Sequence, residues 1–369
     1  LPFAEIKNAV ETELGAPIAE VFTRFDETPL ASASIGQVYR AGLRSHDGEV
    51  DVVVKVQRPN IAHTIDRDID LLYWLARAIE RSIPESRMHM PVRLVEEFDR
   101  AIRAELDYLQ EADNAERFAM NFEKLDTVVF PKVYREASTR KVLTLGYLDG
   151  KNVFDAVTQG ASAERIAKNA VQIVVKMIFE HGMFHADPHP GNILIMGPPE
   201  APVLGLVDLG LVGRLTPHFR DRLIDLLIAV GLRDSRSIAD ALYSICKPTK
   251  KIDRVAFEND VAHLADKYLG RKLGDVQIAD LLRDLAKTAQ RFGLETPADL
   301  LMVGKALMTV EGIARQVYPS LDVVEELRPY FTDLVGYRYS PEKLTSDLVH
   351  VATRFAKAAG DYPARIDEI

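Results

Sequence analysis

The chain has 369 residues, 47% hydrophobic and 27% charged, which is enough apolar material for a sizeable core and too much for a disordered chain. Its 46 Lys and Arg against 55 Asp and Glu give a formal charge of −9, which argues against a general nucleic-acid binder, because phosphate backbones need clustered cations. One cysteine, Cys246, cannot form an internal disulfide; lying in the apolar run ALYSIC, it is expected to be a buried thiol in a reducing compartment rather than a nucleophile.

Residues 1–25 read as one or two short helices. They carry no signal-peptide pattern, and a start without Met inside a helical pattern reads as an excised domain. From Phe25 to Gln57 the period falls to two, and GQVYRAGL and VDVVVKVQ predict strands joined at the hairpin signal Asp47-Gly48. Residues 61–83 repeat apolar positions at helical spacing. Pro91 suits the first turn of a long helix, which Val95, Phe98, Ile102, Leu106 and Leu109 carry to about Phe122. VVFPKVYREAS and KVLTLGYL predict two more strands, ending at Asp149-Gly150.

Beyond that point the pattern is helical except at 184–212, where a loop and the short strands NILIM and VLGLVDL interrupt it. A β-rich part over 1–150 thus meets a helical part over 151–369, with the joint near Gly146–Lys151. The class expected is α+β, with two lobes and a cleft between them. No apolar run approaches the roughly 18–20 residues that span a bilayer. RLIDLLIAVGL reads as core rather than a membrane face. A cytoplasmic protein is expected, with any membrane contact peripheral.

The chemistry concentrates in HGMFHADPHPGNILI, residues 181–195. Asp187 and Asn192 stand five apart before a short strand, and Asp208 follows another in LVDLG. An acid, an Asn five later, and an Asp-x-Gly after a strand is the pattern by which phosphotransferases orient an acceptor and hold Mg²⁺ through hard oxygen donors. Two other readings compete. His181, His185, Asp187 and His189 form a candidate transition-metal cluster, with His181 and His185 at i, i+4 on a helix end, although Gly182 stands where HExxH has Glu. Alternatively the polar groups cap neighbouring backbone.

The phosphotransfer reading requires partners elsewhere. Lys55 lies within the apolar strand VVVKVQ, where burial is costly unless an anion meets it. Glu111 is the candidate carboxylate, in a stripe Asp107, Glu111, Asn114 along the long helix. The loop PLASASIGQVYRA, residues 29–41, occupies the place of a phosphate-covering loop but has only Gly36, so it is expected to be stiffer than a glycine-rich one.

Taken together, ASASIGQVYRA, VVVKVQRP, ELDYLQEADNAERF, FHADPHPGNIL and VDLGLVGRL resemble the UbiB/AarF family of atypical, protein-kinase-like ATPases, over about residues 5 to 340. The resemblance implies a two-lobed protein-kinase-like fold that uses ATP and Mg²⁺. It implies catalytic roles for Asp187, Lys55 and Glu111, metal ligation by Asn192 and Asp208, and an alanine-rich nucleotide loop at Ala31, Ser32, Ala33 and Ser34. Tyr147 joins the nucleotide-contacting set, and Glu105 with Asp107 matches the family's E-x-D pair, which in relatives meets an N-terminal extension. Implied partners are isoprenoid or quinone-precursor lipids and quinone-biosynthesis enzymes.

The chain also departs from the pattern. The extension bearing K-x-G-Q and the C-terminal hydrophobic anchor of some members are not among these 369 residues, no A-P-E motif follows Asp208, and Gly146 stands in place of the usual hinge Glu. Two activities therefore stay open: Mg-ATP hydrolysis or phosphate transfer to a small molecule or lipid, and a nucleotide-binding scaffold that recruits biosynthetic enzymes.

Overall fold

Valines at alternate positions of VDVVVKVQ bind one face of a strand to a core and turn Val53, Lys55 and Gln57 to the other. The computed structural model in which this is seen describes residues 2–32, 35–45, 48–82, 91–269, 278–338, 340, 341 and 345. In chain order the elements are α1 (Phe3–Leu14), α2 (Ile18–Val21), β1 (Phe22–Phe25), β2 (Ala31–Ser32), β3 (Gly36–Ser45), β4 (Gly48–Gln57), α3 (Ile61–Ser82), α4 (Pro91–Glu105) and α5 (Tyr108–Asn121). There follow β5 (Val128–Val129), β6 (Val142–Gly146), β7 (Lys151–Asn152), α6 (Val153–Thr158), α7 (Ala163–Lys176), β8 (Met183–His185), β9 (Ile193–Met196), β10 (Val203–Leu206) and β11 (Val212–Arg214). The remainder is α8 (Pro217–Gly231), α9 (Ser235–Ile245), β12 (Lys247–Pro248), α10 (Arg254–Leu269), α11 (Ile278–Arg291), β13 (Leu294–Glu295), α12 (Ala298–Val317) and α13 (Val323–Arg338).

These elements form two compact units, residues 1–166 with 187–212, and residues 167–186 with 213–369. In the first unit an antiparallel sheet runs β1-β3-β4-β6, with β2 beside β3. Val52, Val54 and Val56 of β4 pack with Tyr39 of β3 and with Ile6 and Val10 of α1. On the opposite face Val53 packs with Tyr108 and Ala112 of α5 and with Leu143 and Leu145 of β6. A second sheet runs β5-β10-β9-β7. The β3–β4 hairpin closes on the pair Ser45 and Gly48; the expected turn residue Asp47 lies outside the described residues.

The helix expected from Pro91 to Phe122 is two helices. Asp107 is extended and caps α5, its carboxylate accepting the Leu109 N–H at 3.1 Å. Three contacts hold the break from outside the helix: the Gln57 amide donates to the Leu106 carbonyl at 2.7 Å, the Tyr108 N–H donates to the Arg140 carbonyl at 3.0 Å, and Gln57 also reaches that carbonyl at 3.2 Å. Apolar periodicity continues through the junction and hides it. The local signal was the capping pattern Asp107-x-x-Gln110. Asp107 is therefore not part of a helical stripe with Glu111 and Asn114.

The strand expected from VVFPKVYREAS is likewise short. β5 pairs in parallel with β10, Val133 forms an isolated bridge to Leu145, and Arg135–Ala137 turns as 3₁₀ helix. Pro131, without an N–H, cannot continue a ladder between these two sheets.

In the second unit the helix end at Met177–His181 stops on Gly182, which is left-handed at φ 62°. His185 falls in β8, so it does not share a helix face with His181. Among the described residues no three His, Cys, Asp or Glu side chains are placed to hold a metal ion. In α8 the run RLIDLLIAVGL buries Leu223, Ile224, Leu226, Ile228 and Ala229. Cys246 is buried, and burial pushes its thiol up to about 11. No helix among the described residues is long and apolar enough to cross a membrane.

Gly36, the one glycine of the 29–41 loop, is required by close approach. A Cβ there would overlap the Tyr108 hydroxyl and lie 2.7 Å from the Val56 carbonyl oxygen. Gly36→Ala is expected to cost about 1–3 kcal/mol, read as a lowered urea midpoint. At Gly312, within α12 and with open space for at least 4 Å around the place a Cβ would take, alanine should instead stabilise by about 0.5–1 kcal/mol.

Candidate functional site

A lysine ammonium buried in a sheet must find carboxylates nearby, and Lys55 finds two. Its Nζ donates to both oxygens of Glu111, at 2.7 and 2.8 Å, and to Asp208 Oδ1 at 2.9 Å. The Lys55 and Glu111 side chains are only 12% and 5% exposed, whereas Asp208 is 57% exposed. Burial alone would lower the Lys55 pKa, but the Glu111 and Asp208 charges outweigh it and hold the ammonium well above the ordinary lysine range. Tyr108 lies beside it, ring centroid 5.7 Å from Nζ, and burial pushes its hydroxyl up to about 12.

Helix α5 does more than supply Glu111. Leu209, the residue after Asp208, donates its N–H to Glu111 Oε1 at 3.2 Å, while its carbonyl accepts from Asn114 Nδ2 at 2.9 Å. Glu111 and Asn114, three apart on one helical face, thus hold both backbone groups of a buried leucine. This clamp fixes the chain directly after Asp208, whose backbone is left-handed at φ 59°. Such a conformation costs a non-glycine residue about 1 kcal/mol, and the contacts on either side of it over-determine the position.

Asp187 and Asn192 belong to the same compact unit. The Asp187 carbonyl accepts the His189 N–H at 2.8 Å and the Asn192 Nδ2 at 3.2 Å. The Asn192 carbonyl accepts the Val207 N–H at 3.0 Å, extending the antiparallel β9–β10 pairing of Ile193 with Leu206. The loop that carries Asp187 is therefore tied to the strand end that carries Asp208. His189 folds back so that its Nδ1 accepts the Gly191 N–H at 3.1 Å; a Cβ at 191 would sit 2.9 Å from the imidazole. For His189 the backbone-capping alternative describes the side chain correctly.

The structure brings Lys55, Glu111 and Asp208 into contact and places Asn192 beside the Asp208 strand. Glu105 joins their electrostatic environment, its carboxyl raised by burial and then by the Asp208 charge, with Lys55 opposing. Asp107 caps α5 and lies 3.6 Å from Arg140. Ala31 and Ser32 are exposed in β2, paired with Val38 and Gln37; Ala33 and Ser34 lie outside the described residues. Tyr147 donates its N–H to the Asp51 carbonyl at 3.0 Å and carries the Arg40 guanidinium 4.1 Å over its ring. Sequence reasoning missed the clamp by Asn114 and the anchoring by Gln57 and Tyr108; the recurrence of Glu111 and Asn114 at i, i+3 was the only local sign of it.

Replacing Lys55 by Met leaves Glu111 buried without its main counter-charge, an expected loss of about 3 kcal/mol. Because the folded pKa is raised, the Lys55 contribution is complete below the ordinary lysine value and is lost as pH rises through the folded one. Urea midpoints should show the gap between native chain and Lys55→Met narrowing as pH rises above the ordinary lysine value of about 10.4.

Comparisons with known proteins bear on this arrangement. Residues 1–242 match the ABC1 atypical kinase-like domain, and residues 261–322 match the UbiB helical domain. The chain is 35% identical over 355 residues to a probable protein kinase UbiB of Pseudomonas putida, covering 95% of this chain and 65% of that protein. It is 33% identical over 361 residues to the Photobacterium profundum protein of the same name, covering 97% and 66%. The chain thus spans about two thirds, 65% and 66%, of the length of these relatives. A solved structure of the Rv3197–erythromycin complex from Mycobacterium tuberculosis superposes with a TM-score of 0.61 at 20% identity, over 87% of this chain and 84% of that one. The fold is α+β and kinase-like, and with matched domain models over most of its length the chain belongs to the ABC1/UbiB family of atypical kinase-like proteins.

Proposed function

We propose that the chain binds Mg-ATP and hydrolyses it, or transfers its phosphate to a small molecule or lipid, in support of ubiquinone or related isoprenoid-lipid metabolism. The observation that carries this reading is the Lys55 ammonium, buried between Glu111 and a half-exposed Asp208. A cation fixed in this way can meet phosphate oxygens without being reoriented.

The donor chemistry fits a magnesium ion. With Glu111 and Asp208 ionised the cluster has two negative charges to one positive, and Glu105 lies close. Asn192 spends its amide nitrogen on the Asp187 carbonyl, which leaves its oxygen as the donor atom. One carboxylate and one amide oxygen, completed by water and phosphate, is an ordinary Mg²⁺ environment. The bound ion would neutralise charge on the phosphate oxygens.

In this proposal Lys55 binds the α/β-phosphates, Glu111 orients it, and Asn192 with Asp208 holds the metal. Asp187 orients the acceptor oxygen and takes its proton. Ala31, Ser32, Ala33 and Ser34 cover the phosphates, Tyr147 borders the nucleotide, and Glu105 with Asp107 forms the E-x-D pair. Residues 1–150 act as the N-lobe and 151–369 as the C-lobe, on the cytoplasmic side and with any membrane contact peripheral. Isoprenoid or quinone-precursor lipids and the enzymes that process them are the proposed partners.

The ion pair from Lys55 to Asp208 at 2.9 Å favours a second reading, in which the metal ligand stays engaged and the chain is a nucleotide-binding scaffold. Phosphate release measured with Mg-ATP, with and without quinone-precursor lipids, separates the two. Turnover that falls about a hundredfold or more in Asp187→Asn and in Asp208→Asn supports the enzyme. A thermal shift with Mg-ATP but no turnover supports the scaffold. Parent-like hydrolysis by both variants would overturn the assigned roles.

A further inference from the structure

The second compact unit contains an apolar cavity of about 520 Å³, walled by Leu226 of α8, Leu242 of α9, Leu282 and Leu285 of α11, and Leu300 and Met308 of α12. Small-molecule sites are typically about 300–1,000 Å³, mostly apolar, with a few polar groups that fix orientation. This cavity has that composition.

Gly304 on α12 is the informative lining residue. A Cβ at this position would have Leu282 Cδ1, 3.9 Å away, as its nearest neighbour. That is ordinary van der Waals separation, so packing of α11 against α12 does not demand a glycine. Nor does its backbone conformation, since Gly304 is not among the glycines at positive φ. Glycine inside a helix is unfavourable relative to alanine. Its one physical effect here is to leave the cavity larger.

The charged residues of the lining are exposed. Arg283 and Lys287 line the cavity and are exposed, one turn apart on α11; Arg283 also pairs with Asp280 at 2.8 Å. Exposed Glu295 is the one carboxylate in the lining. Arg283 keeps guanidinium N–H groups beyond the one it gives Asp280, and Lys287 keeps its ammonium, so the exposed edge of a leucine-walled interior offers donors to a molecule with an apolar body and an anionic head. We propose that this cavity binds a small amphiphile of that class, a long-chain carboxylate or a close chemical equivalent, with its chain beside Gly304 and its head at Arg283 and Lys287. The site does not rest on nucleotide chemistry at Lys55.

The cavity carries its own reporter, because Cys246 lies in the lining and is the only thiol of the chain. The test is a fluorescence titration of the full chain with cis-parinaric acid in the absence of nucleotide, followed by displacement with 1-dodecanol. Saturable one-to-one binding is expected, weakened about tenfold or more by Gly304→Leu, which fills the space. Gly304→Ala should keep binding within about threefold and raise the melting temperature. Arg283→Gln combined with Lys287→Gln should weaken the acid about fivefold while leaving the alcohol unchanged. Saturating parinarate should slow alkylation of Cys246 by N-ethylmaleimide, a readout that uses the native chain and so holds even where a variant fails to fold. Absence of saturable binding, binding indifferent to Gly304→Leu, or an unchanged alkylation rate would each overturn the site. Equal losses for acid and alcohol in the double variant would overturn the assignment of the head group.

Discussion

The ammonium of Lys55 is the point around which the first unit is organised. Strand alternation in β4 commits Val52, Val54 and Val56 to one core, and thereby commits Lys55 to the face that α5 covers. A charge in that position is tolerable only if a carboxylate comes with the covering helix, and Glu111 does so with two hydrogen bonds. The helix must then lie at the right height and angle. Gln57, two residues along the same strand face, sets this by holding the Leu106 carbonyl where the helix breaks. The same α5 face that neutralises Lys55 grips Leu209 and so fixes Asp208. A single buried cation therefore ties a strand, a helix and the end of a second sheet into one arrangement.

Much of this was legible in the residues. Alternation in GQVYRAGL and VDVVVKVQ marks the two long strands, and the cost of burying Lys55 pointed to Glu111 across 56 positions. The chemistry-bearing residues at 187, 192 and 208 stood out because short polar motifs interrupt apolar strands. What escaped was set by backbone partners far away in sequence. Asn114 acts on a carbonyl 95 residues away, and its spacing from Glu111 shows a shared helix face but not the partner. The break at Asp107 was masked because apolar positions on either side continue at helical intervals, while the groups that hold it come from a strand and a turn. His181 and His185 have the spacing of helical neighbours, but a left-handed glycine between them ends the helix.

The two units offer different interiors to a ligand. In the first, beside its apolar cores, Lys55, Glu111, Asn114 and Gln57 are drawn inward and hydrogen-bonded, so that part of the interior is directional and specific. In the second, the helices α8, α9, α11 and α12 enclose leucines around space that no side chain fills. One interior suits ligands recognised through charge and hydrogen bonds; the other suits ligands recognised through shape and low polarity.

Asn192 and Asp208 sit at the two open ends of a single hairpin, one just before β9 and the other just after β10, with paired strands between them. Because the ladder is shared, a rigid-body displacement of the hairpin carries both side chains together. The ladder sets the spacing of their backbones, like the span of a pair of compasses locked at the hinge, and the grip of α5 on Leu209 sets how the Asp208 end is turned.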